Sequence, residues 1–244
     1  MKIIVKANYQ DVSREAARIV ARQVLLKPNS VLGLPTGETP IGMYAELAKM
    51  YDSGLVEFSS VTTFNLDEYY QISPDHPLSY HRYMRERFFS RVDIDVQQTH
   101  IPNGSTNDPQ EECRNYAAAI EQYGQIDLQV LGIGTNGHIG FNEPGTPWEI
   151  TVGLVSLSDE TRRREVIKFG SLDSVPRQAI TMGIKAIMNS RRILLLAVGI
   201  EKAQAIARAL TGPITLNMPA SALQLHPDVT VVIDREASAF LSFQ

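Results

Sequence analysis

The sequence predicts an α/β fold: a doubly wound, mostly parallel sheet with a lid segment. Short apolar runs at 3–6, 30–34, 61–66, 128–133, 193–198 and 229–233 alternate with stretches of helical period, the order of βα units. Several runs are apolar throughout, as strands buried on both faces are. Glycine, proline or acidic residues close most of them, at the strand ends where an open parallel sheet forms its ligand crevice.

Size and charge narrow the function. The 244 residues, 43% of them hydrophobic, fit one domain spanning 1–244 with its own core. A net charge of −4 provides no basic face for nucleic acid. No run approaches the eighteen or so apolar residues of a membrane span. Residues 1–10 lack the small-residue cleavage site of a secretory signal. Cys113 is the lone cysteine, which excludes a disulfide framework, and the two glutamates before it disfavour a nucleophilic thiolate. The expectation is a cytoplasmic protein without membrane or nucleic-acid partners.

Taken in order, 3–6 is a first strand, and Asp11 or Ser13 caps a helix whose apolar face includes Ala16, Val20 and Val24. The second strand, 30–34, ends in PTGETP (35–40), and Met43, Tyr44 and Leu47 then recur at helical spacing. That strand–turn–helix sets free backbone N–H groups around Thr36, Gly37, Glu38 and Thr39, which suits a phosphate or another oxyanion. It is not a Walker loop, since no lysine follows. The third strand, 61–66, runs into Asp67, Glu68, Tyr69 and Tyr70, with two carboxylates at its crevice end.

Residues 79–89 and 111–123 read as helices, and 100–109 as loop. His76, His81 and His100 show no metal-ligand spacing and are assigned to surface or packing. The stretch 147–169 is polar and poorly periodic, so 147–180 is expected to be a lid. Residues 175–188 read as a helix with Pro176 near its start. The strand 193–198 precedes a helix over 201–210 with Lys202 in its first turn, and 229–233 is the last strand.

The chemistry concentrates in QVLGIGTNGHIGFNEPG (129–145). After a buried strand, glycines at 132, 134, 137 and 140 allow a sharp bend close to a ligand, and Asn136, His138 and Glu143 occupy it. There is no nucleophile elbow, metal triad or dinucleotide fingerprint. Proton transfer remains. A carboxylate such as Asp67 takes a proton from carbon beside a carbonyl, while a His–Glu pair serves a sugar hydroxyl or ring oxygen.

The segments LGLPTGETPIGMY, TTFNLDEYY, ECRNY, LGIGTNGHIGFNEPGT, ITMGIKAIM and PASALQLHPDVTVVID resemble, in order and spacing, those of the glucosamine-6-phosphate deaminase/isomerase family. The resemblance runs from Val31 to Asp234. It implies a Rossmann-like sheet and a hydrolase of amino-sugar metabolism acting on a C–N bond. The reaction converts glucosamine 6-phosphate and water to fructose 6-phosphate and ammonia, reversibly and with neither organic cofactor nor metal. By position, Asp67 resembles the base that shuttles a proton between C2 and C1, and His138 the residue that opens the ring. Glu143 and Asn136 match its supports. Tyr69 follows the base as in the family, placed to close over the sugar; Thr36, Gly37, Thr39 and Lys202 match the phosphate site, and Glu68 and Gly137 lie beside the catalytic positions.

Two departures stand out. Glu38 replaces the second glycine of TGGT, and Thr151 falls where the family's arginine grips phosphate. Both changes remove attraction for a dianion. They raise the alternative of the same chemistry on an unphosphorylated or different amino sugar, such as glucosamine or galactosamine 6-phosphate, with Arg162, Arg163 or Arg164 as possible substitutes for the lost cation. Two rival readings are a 6-phosphogluconolactonase, which a lactone assay separates, and a non-catalytic sugar-phosphate sensor. A sensor of the repressor type would carry a helix-turn-helix before the first strand and need not keep Asp67, His138 and Glu143 together. Nothing matching the C-terminal region of the family's allosteric hexamers follows the last strand, so a monomer or small homo-oligomer is expected.

Overall fold

The computed structural model describes residues 1–242. Seven parallel strands form the main sheet: β1 (Lys2–Lys6), β2 (Val31–Leu34), β3 (Thr62–Asn65), β5 (Thr99–His100), β6 (Leu128–Leu131), β9 (Ile193–Ala197) and β10 (Val229–Asp234). Their order is β1-β10-β9-β6-β2-β3-β5. The order reverses between β6 and β2, the place where such sheets open a crevice at their carboxyl edge.

Alternation along each strand divides the core in two. Leu32, Leu34, Val130, Leu194 and Leu196 pack with α1 (Tyr9–Leu26) and α2 (Ile41–Asp52) on one face. Val31, Leu131, Ile193, Leu195 and Val231 pack with α4 (Pro109–Gln122) and α7 (Ala203–Thr211) on the other. Each fully buried Leu, Val or Phe side chain contributes about 1.5–3 kcal/mol. The cap of α1 is Asn8, whose side chain accepts from the N–H of Asp11, rather than Asp11 or Ser13 themselves. Asn8 has the extended backbone that a capping position needs, one turn earlier than the apolar face suggests.

A second, antiparallel sheet was not expected. It joins β4 (Asp67–Tyr69), β8 (Gln178–Met182) and β7 (Val152–Ser156) in that order. Residues 175–188, read as one helix, are therefore β8 followed by the five-residue α6 (Ile184–Met188). The reason is tertiary. Ile180 and Thr181 are β-branched, the strand pairs on both sides, and Met182 N–H donates to Leu66 O at 2.7 Å. The stretch 147–169 holds β7 and α5 (Asp159–Phe169), with Ser158 as the cap of α5. Trp148 packs against the core, so the segment is anchored near its start. Among the described residues no helix is long and apolar enough to cross a membrane.

Candidate active site

The bend after β6 is shaped by close approach. A side chain at Gly134 would fall 2.3 Å from the His138 ring, so only glycine lets the imidazole fold back over the turn. Gly134 N–H donates to His138 O at 2.9 Å. The Asn142 amide donates to Ile139 O and Met182 O, both at 2.8 Å, and ties the bend to the end of β8. The imidazole of His138 thereby faces a cleft of about 820 Å³ at the sheet's carboxyl edge.

Behind it, Glu143 is held on both oxygens. Asn136 Nδ2 donates to Oε2 at 2.7 Å, and Asn136 Oδ1 accepts from His138 N–H at 3.2 Å. Thr161 Oγ1 donates to Oε1 at 2.5 Å, with the Ser158 hydroxyl 3.1 Å away. Burial pushes the Glu143 carboxyl up, but His138, Thr161 and Asn136 together outweigh it and bring it down to about 2. His138 Nδ1 lies 3.7 Å from Oε2, within ion-pair reach but too long for a hydrogen bond.

Asp67 opens β4 and is buried at the seam of the two sheets. A Cβ on Gly140 would stand 3.6 Å from its Oδ2, so the bend and the acid are neighbours. Burial, and then the charge of Glu68, push the Asp67 carboxyl up to about 8. Glu68 points away from the cleft. It is fully buried and accepts from the N–H groups of Tyr69 (2.9 Å), Tyr80 (2.8 Å) and His81 (3.1 Å), with His81 Nδ1 at 3.0 Å. It thus anchors the start of α3 (Tyr80–Arg87), and His81 has this acid as a partner. His100 stacks on Phe64 at 4.5 Å, a packing role. Burial and then Glu112 push the Cys113 thiol up to about 11, so it is no nucleophile near neutral pH.

Tyr69, Tyr80 and Phe141 form one wall of the cleft, and Thr36, Gly37, Glu38 and Thr39 line its rim with Lys202. Burial lowers the Lys202 pKa, as does Arg164, against the pull of Glu201 and Glu38. Thr151 and Gly137 do not line the cleft. Thr151 O accepts from Gly183 N–H at 2.8 Å, and Gly137 backs onto Met218. The cations come instead from α5. Arg164 and Lys168 line the cleft, Arg164 beside Glu160 at 2.7 Å and Lys168 beside Glu165 at 3.0 Å. Of the three arginines named from the sequence, Arg162 is buried and donates to Leu172 O at 2.6 Å. Lys168 and the two hydroxyls of Ser158 and Thr161 were missed. The available signals were the i,i+4 spacing of Arg164 and Lys168 and the Ser-x-x-Thr at the start of α5.

The cleft therefore joins a buried carboxyl titrating near neutrality, an imidazole backed by a fixed carboxylate, and a turn with nearby cations. Residues 5–232 match the family model described as glucosamine-6-phosphate isomerases/6-phosphogluconolactonase. The chain is 52% identical over 241 residues to a glucosamine-6-phosphate deaminase of Halothermothrix orenii, covering 99% of this chain and 100% of that one. It is 49% identical to one from Clostridium botulinum, with both chains covered fully. A solved monomeric glucosamine-6-phosphate deaminase superposes with a TM-score of 0.97 at 47% identity, over 99% of this chain and 100% of that chain. A 6-phosphogluconolactonase of Thermotoga maritima, 23% identical with a TM-score of 0.76 over 96% of this chain and 98% of that chain, shares the fold.

Proposed function

This chain belongs to the glucosamine-6-phosphate isomerase/6-phosphogluconolactonase family, and from that premise we infer that it is a glucosamine-6-phosphate deaminase. It converts glucosamine 6-phosphate and water to fructose 6-phosphate and ammonia. The observation that carries the reading is the placement of Asp67 and His138 on one cleft, on adjoining segments, beside an anion-type turn.

The roles follow from the environments. His138 moves the ring proton that opens the sugar, and Glu143, kept ionised by its donors, stabilises the imidazolium formed in that step. Asp67 shuttles the proton between C2 and C1. A carboxyl at about 8 suits both taking and returning a proton, and a cationic amine arriving beside it favours the ionised form. Water adds to the resulting C2 imine and ammonia leaves. The phosphate occupies the turn at Thr36–Thr39 with Lys202, Arg164 and Lys168 around it, which supplies binding energy for positioning. The lid narrows to α5, since β8 is a central strand and the start of the segment is packed. The chain acts as a monomer or small homo-oligomer in the cytoplasm.

The alternative of an unphosphorylated sugar loses one of its two supports, because Thr151 lies outside the cleft while Arg164 and Lys168 line it. Glu38 remains on the rim. Ammonia release from glucosamine 6-phosphate, compared with glucosamine and with lactone hydrolysis, tests the reading. Equal kcat/KM on glucosamine would overturn the phosphate assignment, and inactivity on both sugars the deaminase.

A further inference from the structure

The turn between β2 and α2 has an asymmetry the reaction chemistry does not require. Among the described residues, nothing accepts from the backbone N–H groups of Thr36, Gly37, Glu38 or Thr39. Three carbonyls of the same turn are taken, each by a tyrosine from a different helix. Tyr44 of α2 donates to Pro35 O at 2.6 Å, Tyr83 of α3 to Gly37 O at 2.5 Å, and Tyr9 of α1 to Glu38 O at 3.3 Å. The Tyr9 hydroxyl also accepts from Gly42 N–H at 2.8 Å, so it bridges the turn and the first residues of α2. Gly37 has φ +91°, a backbone state open to glycine, and there a peptide flip would be inexpensive without a restraint.

A carbonyl pointing at a dianion repels it, while an N–H attracts it. We propose that Tyr9, Tyr44 and Tyr83 are positioning residues for the phosphate subsite. By holding three carbonyls outward they keep the turn's N–H groups aimed into the cleft, and so set its preference for a phosphorylated sugar. The clamp offsets Glu38, whose carboxylate sits on the same rim. This rests on the deaminase reading and deepens it.

Tyr83→Phe is the cleanest test, because the ring stays and only the hydroxyl goes; Tyr9→Phe is the second variant. Tyr44 is fully buried, so its replacement would mix folding with function. The expected result is a rise of about five-fold in KM for glucosamine 6-phosphate in each variant, the worth of one hydrogen bond. The inhibition constant of inorganic phosphate rises in parallel, while kcat holds within about two-fold and the melting temperature is close to wild type. Unchanged KM and phosphate inhibition in both variants would overturn the proposal, as would a fall in kcat at constant KM. Should the wild type release no ammonia yet bind inorganic phosphate, the deaminase reading fails and phosphate affinity still judges the tyrosines. Wild-type indifference to both would end both.

Discussion

Two carboxyls stand at this cleft, one lining it and one behind its imidazole, and they differ in almost every respect. Asp67, at the seam of the sheets, is 6% exposed, has Glu68 next to it, and is pushed up to about 8. Glu143, behind the glycine bend, is only partly buried, and against that burial the His138 imidazole, Thr161 and Asn136 draw it down to about 2. Burial alone raises a carboxyl; burial with donors lowers it. On the proposed reading, one fold makes from a single functional group both a proton carrier and a fixed negative charge.

The largest expected effect comes from removing the carrier. Asp67→Asn should lower kcat at least about a thousand-fold, within the range for a lost general acid–base group. The same change should stabilise the fold. Asp67 binds its proton more tightly folded than unfolded, so wild-type stability declines between about pH 4 and pH 8. Melting curves at pH 8 should show the Asn variant above the wild type, and an unfolded-like Asn variant would refute the assignment of burial as the cause. Next, Glu143→Gln should cost about a hundred-fold in kcat, since the amide still packs but no longer stabilises an imidazolium. Steady-state kinetics with kcat nearly intact would make Glu143 structural.

A smaller effect sharpens the contrast by loosening one donor. Thr161→Val should lower kcat by about five- to ten-fold, and Thr161→Ser should restore most of it, since the hydroxyl is what Glu143 receives. If serine rescues nothing, the methyl group's packing is the relevant contact. The smallest effect is on acid stability. Glu143 contributes stability that is present above about pH 4.5 and is lost as pH falls toward 2. Acid titration of the Gln variant should lack that component and converge with the wild type at the lowest pH.

The parallel sheet was legible because its strands are nearly continuous apolar runs with helical stretches between them. The glycine bend, Asp67 and the 35–40 turn were legible because each interrupts such a run with residues that packing does not need. The antiparallel sheet was not. Gln178–Met182 is a mixed five-residue segment that becomes a strand only when Asp67–Tyr69 and Val152–Ser156 lie beside it. Local pattern carries no trace of partners more than twenty residues away. Lys168 and Thr161 escaped for the same reason, as they reach the cleft only because β7 and β8 set down α5 there. Thr151, judged by its alignment with an arginine, is engaged through its backbone instead.

The pairing of β1 with β10, Lys2 opposite Thr230 through Lys6 opposite Asp234, has a consequence for how the chain folds. Among the described residues β1 pairs with β10 alone, so this margin of the sheet closes only when segments far apart in sequence meet. The pairing also sets β1 and β10 side by side at the far margin of the sheet, away from the crevice between β6 and β2.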